Sequence, residues 1–228
     1  MKGMTALFCA VLAAAAAGCA TQGYERAANT AAQVRAVRTS VEAFQKQVDV
    51  TTASMSALLG GAHDGLREKF EAFSREVDAL ASSGGSYKSS VQSMRRAAMD
   101  RFQSWEAESQ QITNAEMRAK SSERRSEVMD TYRAAEAAAE EMASQIGPFV
   151  LDIQDLRKVL SIDLTPAGID AASDLSGRIK EGNRKVAKAA KPVLETVDRA
   201  ADALAAGQEA GQPGAAPPKE TPKEEPKK

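Results

Sequence analysis

One histidine and two cysteines are all the imidazole and thiol that this chain of 228 residues offers to a metal ion. His63 stands in "GAHDG", a stretch with the composition of a turn. With no second histidine and no cysteine near it, a zinc or redox site lacks ligands. Aromatic residues make up only 4% of the chain while alanine is abundant, which suits closely packed helices better than a broad globular core. Runs of β-branched residues with a period of two are missing, so no strand is expected. The formal net charge is −1, and without a basic surplus nothing argues for nucleic acid. No Gly-rich phosphate loop, nucleophile elbow or His-containing triad occurs. The carboxylates Glu136, Glu140 and Glu141 share helix faces with arginines and lysines, the pattern of a solvated charged face. From these absences the sequence predicts a non-enzymatic protein with no cofactor and no metal.

What the chain does have begins at its amino terminus. Lys2 precedes an apolar run from Met4 to Ala17 that only Thr5 interrupts. At about 14 residues it has the layout of a secretory signal and is too short to span a bilayer comfortably. An ordinary signal peptide cut after an Ala-x-Ala site is one reading. The sharper one starts from "AAGC", Ala16 to Cys19, which resembles the lipobox of bacterial lipoproteins, with Ala16 where leucine is usual. Cys9 would leave with the leader, and the mature chain would keep one thiol at its first position, as an acylation site rather than half of a disulfide. Lipobox cysteines carry a diacylglycerol and an amide-linked chain, and two or more acyl chains anchor stably. Ala20 rather than aspartate follows the cysteine, which by resemblance to enterobacterial sorting favours the outer membrane. The expectation is a signal peptide over 1–18, a lipidated linker over 19–23, and a periplasm-facing protein attached to the membrane through its acyl chains.

Beyond the leader, apolar residues recur every seven. Val34, Val41, Val48 and Met55 form one row, and Val37, Phe44, Thr51 and Leu58 the other. Rows three and four residues apart make one helical stripe, the seam of a coiled coil. This first helix should run from near Tyr24 to Gly60-Gly61. A second, from about 65 to 112, carries Leu66, Phe73, Leu80, Tyr87 and Met94, with Phe70, Val77, Val91, Ala98, Trp105 and Ile112 beside them. "SSGGS" looks like a loop, but the phase persists across it and Gly84 falls on a row, so the helix should pass through and bend or meet a close neighbour there. Thr113 to Glu116 fits a capping box. The third helix follows with Val128, Ala135, Met142, Phe149 and Leu156 against Tyr132, Ala139, Ile146, Ile153 and Leu160, its phase surviving Gly147-Pro148 at the cost of a kink. Thr165-Pro166 reads as an N-cap with proline in the first turn. The fourth helix carries Ile169, Ala172, Leu175, Ile179, Val186, Val193, Val197 and Leu204 and ends near Ala206.

Short connections at 60–64, 113–114 and 163–165 make consecutive helices antiparallel. The fold expected over 24–206 is all-α: an elongated, antiparallel four-helix bundle or coiled coil, up-down-up-down, with both chain ends at one tip. Residues 207–228 hold five prolines and mixed charge, the composition of a disordered tail. The chain ends in Lys228, and a lysine there can serve as a tether to peptidoglycan.

The stretches "WEAESQQITNAEMR" and "MASQIGPFVLDIQDLRKVLSIDLTPAGI", with Tyr132 between them, resemble the helical bacterial proteins grouped as domain of unknown function 2959. That family's Trp-Glu-x-Glu stretch, Ser/Thr-Asn turn and Leu/Met-Arg pair match Trp105, Glu106, Glu108, Thr113, Asn114, Met117 and Arg118. Its later Met-x-Pro and "KHNLN" stretches are replaced by Gly147-Pro148 and "SIDLT", without the lysine and histidine. The resemblance implies an elongated helical envelope protein and brings no activity with it.

Two groups of residues remain to be placed. Trp105, on a seam, should anchor the core. Among basic runs, Arg118 to Arg125 alternates with acids like a solvated face. Lys180, Arg184, Lys185, Lys188 and Lys191 have only Glu181 near them in sequence and are the candidates for contact with lipid headgroups or wall polymer. A scaffold, spacer or partner-binding rod is the role expected; a module that binds peptidoglycan or another envelope protein through this face or the tail is the alternative. The oligomeric state has no signature in the sequence.

Overall fold

The computed structural model describes residues 4–60 and 64–206, with side chains from Gly23 onward apart from those of 173 and 174. Gly61, His63, the tail 207–228 and the side chain of Cys19 therefore lie outside what is described. The elements are α1 (Met4–Leu59), α2 (Leu66–Gln110), α3 (Ala115–Ile162), α4 (Pro166–Ala171) and α5 (Ser173–Ala205), with no strand among the described residues. The fold is all-α, and the four long helices pack into one bundle.

The seam residues explain the packing. Both rows of α1, from Val34 to Leu58, are buried, as are both rows of α3 from Val128 to Leu160. In α2, Phe73, Val77, Leu80, Tyr87, Val91, Met94 and Ala98 are buried. Phe70, Trp105 and Leu66 pack half-buried at the ends of the same core. Burying a side chain such as Phe44 or Phe149 contributes about 2–3 kcal/mol, and the regular spacing repeats that gain along the whole rod. Polar groups that fall on the seams are satisfied rather than stranded. Thr51 Oγ1 donates within α1 to Gln47 O (2.8 Å) and contacts Glu76 O of α2 at 3.2 Å. Tyr87 donates its buried hydroxyl to the carbonyl of Ala139 in α3, at 2.8 Å.

Cross-helix contacts define the topology. Thr30 meets Ala97 and Thr51 meets Glu76, so α1 and α2 are antiparallel. Tyr87–Ala139 and Trp105–Ser121 align α2 against α3 in the same sense. Arg124–Ala203 and Arg178–Asp152 do so for α3 and α5. Arg35–Asp202 and Arg38–Asp198 close the ring between α5 and α1. The order around the bundle is thus α1, α2, α3, α5. At 1.5 Å per residue the 45 residues of α2 span about 68 Å. One end, the base, gathers the start of the packed part of α1, the 111–114 turn and the end of α5. The far tip carries Gly60, Asp64, Gly65 and residues 163–166.

Three details differ from the sequence reading. The first helix begins at Met4 rather than near Tyr24. The leader's alanine run is the best of helix formers, and the isolated Gly18 and Gly23 cost only about 1 kcal/mol each. α3 is capped by Asn114, whose side chain accepts from Met117 N at 3.0 Å, rather than by Thr113. Glu116 pairs forward with Lys120 instead of reaching back. The fourth helix is split. Thr165 caps α4 as expected, accepting from Gly168 N at 3.2 Å, but the Ala172 N–H is shared between Gly168 O and Ile169 O, and a three-residue bond follows from Leu175 N to Ala172 O. That tightened turn ends α4 after six residues. As the persistent phase predicts, α3 continues through Pro148. Proline there costs about 3 kcal/mol, and the buried Ile146, Phe149 and Ile153 around it hold the helix in place.

At mid-rod, glycines face large side chains. A Cβ on Gly84 would lie 3.2 Å from Ile146 Cγ2 and 3.5 Å from Phe44 Cε2, and one on Gly182 would lie 3.0 Å from Phe149 Cδ2. Gly84 therefore marks a close approach of neighbours. Gly85, beside it, faces open space.

Candidate functional site

The five basic residues singled out on α5 are all exposed. Helical spacing puts Lys180, Arg184, Lys188 and Lys191 within about a quarter turn of one another, on the side of α5 away from its buried Ile179, Val186, Ala190 and Val193. Lys185 stands further round. Among the described residues, Arg184 alone of the five has an ion pair, with Glu181 at 2.6 Å. The result is a cationic stripe with little internal neutralisation. It lies alongside the far half of α1. A groove of about 260 Å³ is shared by Gln45, Val48 and Asp49 of α1 with Asn183, Val186 and Ala187. A second, also about 260 Å³, joins Met55, Leu59 and Gly60 to Ile169, Asp170 and Lys180.

The other basic run is built differently. Arg118 donates to the carbonyl of Ile112 at 2.9 Å, Arg124 to that of Ala203 at 3.0 Å, and Arg125 pairs with Glu106. These arginines tie the start of α3 to the 111–114 turn, α2 and α5, so the run is structural rather than merely solvated. Glu136 and Glu140 both meet Arg95 of α2, and Glu141 accepts from Gln145 one turn on, at 2.9 Å. A groove of about 620 Å³, open to solvent, lies between Phe70 and Ser74 of α2 and Gln154, Asp155 and Lys158 of α3, away from Gly84 and Pro148. Among the described residues no group of three or more His, Cys, Asp and Glu side chains is placed to hold a metal ion. No described helix is long and apolar enough to cross a membrane.

Trp105 sits at the base, half-buried, and opens the "WEAESQQITNAEMR" stretch. Its indole N–H donates to Ser121 Oγ of α3 at 3.0 Å, and Ser121 in turn contacts Ser109 Oγ at 2.8 Å. Glu108 accepts from Arg26 of α1 at 2.6 Å. The stretch thus joins α1, α2 and α3 at one end of the rod, where it does more than anchor the core. Sequence reasoning missed Arg101. Its guanidinium carbon lies 4.6 Å from the centre of the Trp105 ring. Its pKa is lowered by burial first, with Glu108 opposing and Arg26 adding to the shift. The signal available in the sequence was the one-turn spacing of Arg101 from the sole tryptophan.

A family model described as "Protein of unknown function (DUF2959)" matches residues 18–205, from the residue before Cys19 to the last residue of α5. No curated protein and no solved structure matches the chain.

Proposed function

Since the chain belongs to this family of unknown function, its role has to be argued from its own residues, and we propose that it is a non-enzymatic, lipid-anchored helical protein of the bacterial envelope. Acyl chains on Cys19 hold it at the outer membrane, and the bundle serves in the periplasm as a scaffold or spacer. The observation that carries this reading is the core: apolar rows stay buried from Val34 to Leu58 of α1, from Phe73 to Ala98 of α2 and from Val128 to Leu160 of α3, along helices of which α2 alone is about 68 Å long. Both ends of the bundled chain sit at its base, so a tether at Cys19 and the tail after Ala206 leave from the same tip. Two or more acyl chains give stable attachment where one gives only marginal binding.

Metabolic labelling tests the anchor. The chain should incorporate labelled palmitate, and Cys19→Ala should abolish both the label and fractionation with membranes. A Cys19→Ala protein that still fractionates with membranes overturns the anchor.

The α5 stripe favours a second reading, a surface that binds peptidoglycan or an acidic face of another envelope protein. Gln45, which borders the groove beside Asn183 and Val186, lies about 40 Å along α1 from Cys19 at 1.5 Å per residue. On an upright rod the stripe clears the headgroups of the anchoring leaflet, which supports wall polymer over lipid as its partner. Pull-down on purified peptidoglycan, with Lys180, Arg184, Lys188 and Lys191 all changed to Glu, tests it. Retention equal to that of the parent chain removes the reading; a second arm without residues 207–228 assigns any binding that belongs to the tail.

A further inference from the structure

The base of the bundle contains a half-buried arginine with an unmade hydrogen bond. Arg101 is half-buried on α2, and its Nε–H is buried without a hydrogen-bond acceptor. The acid it feels most strongly, Glu108, is engaged by Arg26 at 2.6 Å, and Arg26 sets a second positive charge close by. The Trp105 ring supports one side of the guanidinium. That ring is itself fixed by its hydrogen bond to Ser121 and by the Ser121–Ser109 contact. The platform is therefore preset. A desolvated guanidinium with an unmade hydrogen bond, next to a like charge, is costly to leave so. Its planar fork of donors matches the oxygens of a phosphate or carboxylate better than any other partner.

We propose that the base of the bundle is an oxyanion-binding site whose donor is Arg101 on its Trp105 platform, and that its ligand is a phosphate group. The base is the end of the bundle nearest Cys19. If the anchored reading of the preceding subsection holds, the phosphates closest to this end are those of lipid headgroups; the same chemistry serves a free phosphate. Occupation of the site adds a counter-charge to that of Glu108, which Arg101 shares with Arg26.

The test uses the full chain carrying Cys19→Ala, so that any association with vesicles is independent of acylation. Trp105 is the sole tryptophan, so its fluorescence reports the site directly. Emission is titrated with inorganic phosphate, with vesicles of phosphatidylcholine, and with vesicles that also contain phosphatidylglycerol. A saturable change with inorganic phosphate identifies a free-phosphate site. A change with phosphatidylglycerol vesicles, but with neither inorganic phosphate nor phosphatidylcholine alone, identifies a headgroup site. Arg101→Gln should weaken the response about tenfold or more, the scale of a lost charged hydrogen bond. Arg101→Lys, which keeps the charge and loses the fork, should fall between the two. In phosphate-free buffer Arg101→Gln should melt no lower than its parent, since it removes a partly desolvated charge with an unmade hydrogen bond. No response to any probe, an unchanged titration in Arg101→Gln, or a lower melting temperature without phosphate would overturn the site. Palmitate labelling of Cys19 is read separately, so failure of the anchor and failure of this site are distinguishable.

Discussion

Two adjacent glycines on α2 are held for different reasons. Gly84 is pressed by Ile146 and Phe44, while nothing lies within 4 Å of a Cβ built on Gly85. Gly85→Ala should therefore raise stability by about 1 kcal/mol through helix propensity alone. Gly84→Leu should lower it by about 1–3 kcal/mol through overpacking. Thermal denaturation of the two variants checks both signs. The seam phase marks Gly84 as a row position, but it says nothing about the size of the residues facing it, which only the packed structure supplies. Tyr87 and Tyr132 make a second case. Burial raises both phenol pKa values, joined at Tyr132 by the nearby Glu136. An unfolded tyrosine loses its proton near pH 10 while these keep theirs, so their contribution is intact below about pH 10 and declines as pH rises further. A Tyr87→Phe, Tyr132→Phe double variant should lose less stability between neutral pH and pH 11 than its parent does. An equal loss in chemical denaturation at the two pH values would contradict that assignment.

The helices themselves were largely legible, because a sevenfold apolar rhythm is a property of the whole stretch and outlasts a local glycine or proline. Both α2 across Gly84-Gly85 and α3 across Gly147-Pro148 follow from it. Helix ends were less legible. Thr113 and Asn114 are both good caps by type, and the choice depends on which one sits a turn before a free N–H. It falls to Asn114, and Thr113 is exposed. Asn114→Ala should cost about 1 kcal/mol, whereas Thr113→Ala should stay within about half of that in a thermal melt. The split between α4 and α5 had no sequence signal beyond Thr165-Pro166. It arises because Gly168 packs against the end of α3, where a Cβ would lie 2.2 Å from Asp163 O, and the chain must turn again to rejoin the bundle.

For the whole molecule, the shared rhythm of the four helices implies a length that can be edited. Removing seven residues from each long helix at one level keeps every row in phase and should shorten the rod by about 10 Å in X-ray scattering. Removing seven from α2 alone sets its rows against the wrong layers and should lower the melting temperature. The charged surface was legible in part: the α5 stripe lies where helical spacing puts it, but the interlocked Arg118–Arg125 run and the isolated Arg101 depend on which helices meet at the base, which no single stretch records. The ring order has a consequence for synthesis. Because α1 closes against α5 through Arg35–Asp202 and Arg38–Asp198, the first helix to emerge must wait for the last one made. Until the ribosome has finished α5, one flank of α1 and one of α3 stay bare and sticky, so a chain halted near Thr165 should clump where the complete one does not.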